Sequence, residues 1–438
     1  MQIKLLAAFD IESTRALVSN SMMKTLSING DRLWQSLMAL AQIGATEKGG
    51  VCRLALTKLD REARDLFVQT AQHLGCTVRI DEIGNIFARR AGTDPKIGAV
   101  ATGSHIDTQP TGGKFDGNYG VLAGLEVIHT LNDHNIKTKA AIEVCVWTNE
   151  EGSRFVPVMM GSGVYAGAFS VAHAHSATDK DGVSVEQALS DMGYKGTSPA
   201  IANQLNPAHR IEAFFEVHIE QGPVLEDAGI TIGAVTGALG QRWYDITVTG
   251  QEAHAGPTPM PLRKDALQHA LALMEQVQSI ALAEQPHARG TVGYVEVFPN
   301  SRNVIPGRVT FSVDFRHSDD VGLDRMDAAL RRCCETLVKQ GRVQLELKPV
   351  VYFAPTVFDK KLVAAVRTGA LAHGFEAMDI VSGAGHDAVY VSRIAPTAMI
   401  FIPCKDGISH NEIEDAKAEH ITAGANVLLH AMLSAADM

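Results

Sequence analysis

The sequence predicts an α/β protein in which one layered sheet is interrupted by a small inserted unit, and three observations lead there. Short, continuously apolar runs at residues 97–102, 140–147, 214–219 and 398–402 have the pattern of strands covered on both faces. Helical periodicities at 119–131 and 416–432 alternate with them, as a sheet layered with helices requires. Between residues 241 and 352 the pattern changes to alternating strands and amphipathic helices, and the buried-strand pattern resumes only afterwards.

In chain order, residues 1–27 read as a weakly specified extension, and 30–95 as mainly helical with a strand near 85–89. The apolar strands and helices of the main layer follow. In the insert, a strand at 243–249 places Tyr244, Ile246 and Val248 on one face. A helix across 261–282 carries Leu267, Ala270, Leu271, Met274 and Val277 at helical spacing. Strands at 291–298 and 309–315, a helix with Leu323, Met326, Leu330 and Leu337, and a strand at 343–347 complete a β-α-β-β-α-β order, that of a ferredoxin-like unit. The expected domains are therefore an extension (1–27), a main domain (28–240 and 353–438) and an insert (241–352).

Composition narrows the function classes. The 438 residues include 39 Lys plus Arg against 49 Asp plus Glu, for a formal charge of −10 with the basic residues scattered, which argues against a nucleic-acid groove. No apolar run reaches the ~18 residues that span a bilayer, and the N-terminal apolar stretch is broken by Asp10 and Glu12, so it does not read as a secretory signal. The six cysteines form no C-x-x-C pair or framework spacing. A cytoplasmic protein without membrane or nucleic-acid partners is expected. The 17 His matter only if several gather at strand ends.

They do gather there. Gly103-Ser104-His105-Ile106-Asp107 closes one apolar strand, with Asp116 shortly after. Imidazole suits zinc, and Asp107 is spaced to fix the tautomer of His105; alone, His-x-Asp is weak, and Asp116 before a helix reads more readily as an N-cap. Thr148-Asn149-Glu150-Glu151 closes a second strand. Adjacent carboxylates repel unless cations are near, so one can hold metal while the other stays free as a base; the bland reading is a solvated acidic loop. His218 with Glu220 in the third run, and His410 after the fourth, repeat the arrangement, although any single His is more often a satisfied core residue. Together, the ends of one sheet carry several His and carboxylates, which a bimetal hydrolytic site explains economically. In the insert, His254 ends a strand. Arg316 lies opposite an apolar face, either as a fork for a substrate carboxylate or as an internal partner of Asp314. The Gly-rich turn 382–388 lacks a phosphate-loop pattern.

Seven blocks in one order, G-S-H-I-D-T-Q-P-T-G-G-K-F-D-G, T-N-E-E-G-S-R-F, H-I-E-Q-G-P, A-H-A-G-P-T-P-M, P-N-S-R-N-V-I-P-G, G-A-G-H-D-A and S-H-N-E, resemble the N-carbamoyl-L-amino acid hydrolase, β-ureidopropionase and allantoate amidohydrolase group of the dizinc aminoacylase and carboxypeptidase superfamily. The resemblance runs from about residue 28 to the C-terminus. It implies a dizinc-exopeptidase-like catalytic domain and an insert that serves as lid and dimerisation domain. By position it implies metal ligands His105, Asp116, Glu151, His218 and His410, with Asp116 bridging two divalent ions. Zinc is expected, with manganese, cobalt or nickel also suited to such ligands. Glu150 matches the catalytic base and Asp107 the residue orienting His105. Gln221, His254, Asn303, Arg316, Gly385 and His386 match substrate positions, with His254 and Asn303 reaching the partner's site in a homodimer.

The implied reaction is hydrolysis of an N-carbamoyl amino acid to the amino acid, carbon dioxide and ammonia. N-carbamoyl-β-alanine from pyrimidine catabolism and N-carbamoyl-L-α-amino acids are both candidate substrates, and allantoate is the alternative ureido acid. A dizinc aminopeptidase or aminoacylase is disfavoured by His218, where such peptidases usually have a carboxylate. A metal-storing protein is disfavoured by Glu150, because pure binding needs no free carboxylate beside a ligand.

Overall fold

The computed structural model describes residues 26–437; the extension expected at 1–27 lies outside them up to residue 25. The described chain forms two compact units, one comprising the segments up to Thr236, Phe358–Ile380 and from Gly385, the other Gly237–Val357 with Val381–Ala384.

The first unit is built on a mixed sheet. Its strands are β1 (Thr77–Ile80), β2 (Ile86–Arg90), β3 (Ala99–His105), β4 (Ala141–Trp147), β5 (Ile211–Ile219) and β6 (Ile232–Ala238). The second unit contributes β7 (Gly240–Thr249), β8 (Ala253–His254), β9 (Arg289–Thr291), β10 (Val295–Phe298), β11 (Val304–Ile305), β12 (Arg308–His317) and β13 (Gln344–Phe353). The chain continues through β14 (Thr356–Val357), β15 (Ala377–Ser382) and β16 (Thr397–Ile402).

The large sheet runs β1-β2-β4-β3-β5-β16-β6-β14, with β15 also paired to β6. Its centre, β4-β3-β5-β16, is parallel, whereas β2 meets β4 and β6 meets β16 antiparallel. Every residue of β3, β4 and β16 is buried, which is why those segments read as unbroken apolar runs rather than alternating ones. The helices Asn118–Asp133 and Ala418–Ala436 are also buried along most of their length, because each is covered by further helices beyond the sheet.

Sequence periodicity missed the strands at the flanks. β1 is half polar, β6 carries two glycines, and β14 is two residues long; none presents a run long or regular enough to read. The 30–95 segment is two helices, Gly30–Leu40 and Lys58–His73, followed by the hairpin β1-β2.

The second unit has a five-stranded antiparallel sheet, β10-β12-β7-β13 with β9 also on β12. Its helices are Ala266–Ala283 and Asp320–Lys339. The alternation in β12 is strict: Val309, Phe311, Val313 and Phe315 are buried against Tyr244, Ile246, Val248, Leu323 and Leu330 in one core. Asp314 and Arg316 occupy the other face, as a period of two demands.

The parallel centre decides where chemistry can collect. His105 is the last residue of β3, Glu150 and Glu151 follow β4, His218 is next to last in β5, and His410 lies in the loop after β16. All four segments end at the same edge of the sheet, where ligand sites form in open α/β folds.

Candidate metal centre

Asp116 stands in the middle of the four segments, and its two carboxylate oxygens face different partners. Oδ1 lies 3.1 Å from His218 Nε2 and 3.6 Å from His105 Nε2. Oδ2 lies 3.3 Å from His410 Nε2, which is itself 3.4 Å from Glu151 Oε2. The donor atoms of His105, Asp116 and His218 all fall within 4.8 Å of one another, as do those of Asp116, Glu151 and His410. One carboxylate therefore belongs to two sets of three. A third such set, Glu216, His218 and His386, shares His218 with the first.

The imidazoles are oriented for this. His105 Nδ1 is 2.9 Å from the Asp107 carbonyl oxygen and His218 Nδ1 is 2.8 Å from that of Ile219. A ring that donates Nδ1–H to a carbonyl keeps its Nε2 lone pair free, and both Nε2 atoms point at Asp116 Oδ1. The Gly117 N–H donates to His218 Nε2 at 3.2 Å, in keeping with that tautomer. Asp107 meets His105 through its carbonyl oxygen, while its carboxylate Oδ1 stands 3.9 Å from His105 Nδ1, beyond hydrogen-bond reach. The Asp107 carboxylate instead accepts the N–H groups of Glu150 (3.3 Å) and Glu151 (3.2 Å). It sets the turn that aims the two glutamates.

Asp116 is not a helix cap either. The helix Asn118–Asp133 has Gly117 at its N-cap position without a side-chain bond, which leaves the Asp116 carboxylate free for the centre. Gly117 has φ +66, and a Cβ there would lie 2.5 Å from the His105 ring. Only glycine allows the turn and the ring together.

Buried charge shapes the electrostatics. Burial alone would raise the Asp116 carboxyl, but the imidazoles of His105, His218 and His410 outweigh it and hold the group well below the usual range. Glu150 goes the other way: burial pushes it well above the ordinary value, His105 opposes this, and Asp387, Glu151 and Asp107 add to it. Burial, with Asp116 nearby, raises Glu151 to about 7. The hydrogen bond to Asp116 raises His410 to about 8. Among the described residues, the ion pairs of Asp116, Glu150 and Glu151 are with histidine alone. Buried carboxylates without Lys or Arg demand another source of positive charge, and the His and carboxylate set fits divalent cations.

Glu150 is near the centre without belonging to either set of three. Its Oε2 is 3.6 Å from His105 Nε2. Gln221, with φ +58, places Nε2 2.9 Å from Asp116 Oδ2 and 3.2 Å from Ser409 Oγ. The buried His386 packs edge-on against His218 at 4.6 Å between ring centroids, and burial holds its imidazole well below the ordinary value. Gly385 abuts Met159.

The remaining expected substrate residues lie in the second unit. His254 and Asn303 are brought together there by the short pairing of β8 with β11 and by Ala255 N–H donating to the Asn303 carbonyl at 2.8 Å. Arg316 adopts the bland alternative at least in part: Nε and Nη2 bond Asp314, and Nη1 donates to the Gly383 carbonyl at 2.7 Å. Two guanidinium N–H groups remain uncommitted.

Several site residues escaped sequence reasoning. Gln109 grips Glu151 twice, through its N–H (3.1 Å) and Nε2 (2.7 Å). The buried Glu216 accepts Ser104 Oγ (2.7 Å) and Ala388 N–H (2.9 Å), joining β3 and β5 to the turn carrying His386. Glu414 binds the Asp116 loop. All three lie in or beside the motif blocks, but a Gln or Glu that grips another loop carries no signature in local spacing.

A layered mixed sheet with a two-set His and carboxylate centre, and a glutamate held beside it, is compatible with the divalent-metal site of a hydrolase. The chain matches the model of Peptidase family M20/M25/M40 over residues 101–434 and belongs to that family. It is similar to an N-carbamoyl-L-amino-acid amidohydrolase of Rhizobium meliloti, 45% identical across 94% of this chain and 97% of that one. It is also similar to an allantoate amidohydrolase of Bacillus subtilis (strain 168), 36% identical across 89% and 93%. A solved structure of an amidase of the hydantoinase/carbamoylase family from Burkholderia multivorans superposes with TM-score 0.91 at 55% identity, covering 94% of this chain and 99% of that one. The protein is thus a hydrolase acting on linear amide C–N bonds.

Proposed function

We propose that the chain hydrolyses N-carbamoyl-L-α-amino acids to the amino acid, carbon dioxide and ammonia. The observation that carries this reading is the opposed orientation of the two Asp116 oxygens, each toward its own ligand set, with Glu150 held beside them. His105, His218 and Asp116 would hold one divalent ion, and Asp116, Glu151 and His410 a second; zinc suits the donors, as do manganese, cobalt and nickel. When bound, such ions polarise a carbonyl and acidify water. Glu150 then takes the proton from the attacking water and returns it to the departing amine nitrogen. Burial raises Glu150 above the ordinary carboxylate value, and its place beside His105 suits a group that accepts a proton and returns it.

Arg316 and Asn303 would hold the substrate carboxylate, Gln221 and His386 the ureido group, and His254 the developing oxyanion. The insert would act as lid and dimerisation domain, with His254 and Asn303 completing the partner's site in a homodimer. The relatives' names favour an L-α-amino acid product over β-alanine, and so a role outside pyrimidine catabolism. Allantoate is the second reading, favoured by the Bacillus subtilis relative. A cytoplasmic location agrees with six cysteines that are all free; no helix among the described residues is long and apolar enough to cross a membrane.

Ammonia release, measured after chelation and metal restoration, tests the reading on N-carbamoyl-L-amino acids, N-carbamoyl-β-alanine and allantoate. Turnover of the first group, lost on chelation and recovered with a divalent metal, is expected; preference for allantoate would select the second reading. Arg316→Ala is expected to raise KM for carboxylate-bearing substrates, by about tenfold or more for a lost charge-assisted bond, with little change in kcat. An equal loss on an uncharged ureide would remove Arg316 from carboxylate binding.

A further inference from the structure

The two ligand sets are not equally supported. His105 and His218 stand on β3 and β5, strands buried in the middle of the sheet. His410 stands on a loop, its side chain half exposed and its backbone in the left-handed region at φ +54. A conformation of that kind persists only where its surroundings hold it. Asp116, which the two sets share, also lies on a loop.

Glu414 connects those two loops. It is only 2% exposed although Ile413 and Asp415 beside it are exposed. Its Oε1 accepts the N–H groups of Phe115 (3.0 Å) and Asp116 (3.1 Å), and its Oε2 accepts Ser409 Oγ (2.8 Å). Ser409 precedes His410, and its hydroxyl is also 3.2 Å from Asp116 Oδ2. The carboxylate thus spans 298 residues of chain to join the bridging aspartate to the loop that presents His410. Gly113 makes the approach possible, because a Cβ there would collide with the Glu414 carboxylate.

We propose that Glu414 is a positioning residue for one half of the metal centre: it latches the Asp116 and His410 loops together and so creates the Asp116, Glu151 and His410 site, while the His105 and His218 site forms without it. This rests on the two-ion reading above. The latch works through acceptor geometry. A glutamine can reproduce it, with its amide oxygen accepting both N–H groups and its amide nitrogen donating to Ser409 Oγ.

The test is Zn2+ stoichiometry and affinity by equilibrium dialysis of the chelated, refilled full chain, with folding checked by circular dichroism. The wild type is expected to take two ions. Glu414→Ala should keep one and bind the second about 10- to 100-fold more weakly, and Glu414→Gln should hold both as the wild type does. If Glu414→Ala does not fold, Ser409→Ala, which removes only the far end of the latch, is expected to weaken the second ion alone. Retention of both ions at wild-type affinity by the alanine variants would overturn the proposal, as would equal loss of both. A wild type that takes fewer than two ions at saturation would instead overturn the two-ion reading, and this inference with it.

Discussion

Glu150→Gln is expected to lower kcat by about 10²- to 10⁴-fold, the range for losing a general base, while the protein keeps its full metal content. The separation of the two effects follows from geometry. Glu150 belongs to neither set of three ligand atoms, so its replacement leaves both intact. Its backbone is fastened independently of its side chain, through the N–H that Asp107 accepts at 3.3 Å, so the amide would stand where the carboxylate did. Glutamine keeps the shape and loses the basicity. The check is kcat together with metal analysis of the same preparation. Turnover near the wild-type rate would mean that another group takes the proton, and loss of metal would mean that Glu150 is a ligand.

Gly117→Ala is expected to empty the His105 and His218 half of the centre, and with it to remove activity. Two costs combine. A non-glycine residue at φ +66, ψ −50 lies outside even the left-handed helical region and is strained by its backbone alone. The methyl group would also lie 2.5 Å from the ring of His105, which is itself buried and has little room to shift. The ring must therefore turn away from Asp116. Gly193 is a control for a positive φ without a clash: it ends the helix Val185–Met192 in the left-handed region at φ +72, with nothing within 4 Å of its Cβ position. Gly193→Ala should lower Tm through strain alone and leave metal content unchanged, whereas Gly117→Ala should lose bound zinc on dialysis. Full zinc occupancy in Gly117→Ala would show that His105 tolerates displacement, contrary to its assigned role.

The legible part of the fold is what burial writes locally. β3, β4 and β16 are covered on both faces, so each appears as an apolar run, and β12 is covered on one, so Val309 to Phe315 alternate. The flanking strands β1, β6 and β14 are polar, glycine-containing or very short, and their conformation comes from the neighbour they pair with. Nothing within such segments distinguishes them from loops.

The site divides the same way. That His105, Glu150, Glu151 and His218 belong to strand ends, and His410 to the loop after one, is visible in the chain, because the apolar run and the chemical residue lie close in sequence. The same proximity points to Asp107 as the partner of His105; which of its groups acts is a tertiary matter, since the carbonyl meets the ring and the turn after β3 swings the carboxylate toward the N–H groups of Glu150 and Glu151. Sequence allows Arg316 two roles, and the structure shows it engaged with Asp314 while keeping two donors.

By itself, then, the sequence determined the layered α/β class, the positions of its main strands along the chain and the residue types at their ends, since each is recorded over a few consecutive positions. Only the tertiary structure decided that Asp116 divides its two oxygens between partners from opposite ends of the chain, and that Gln109, Glu216 and Glu414 hold those partners in place. Such contacts depend on which strands become neighbours in the sheet, and strand order is settled by packing the whole core rather than by any single segment.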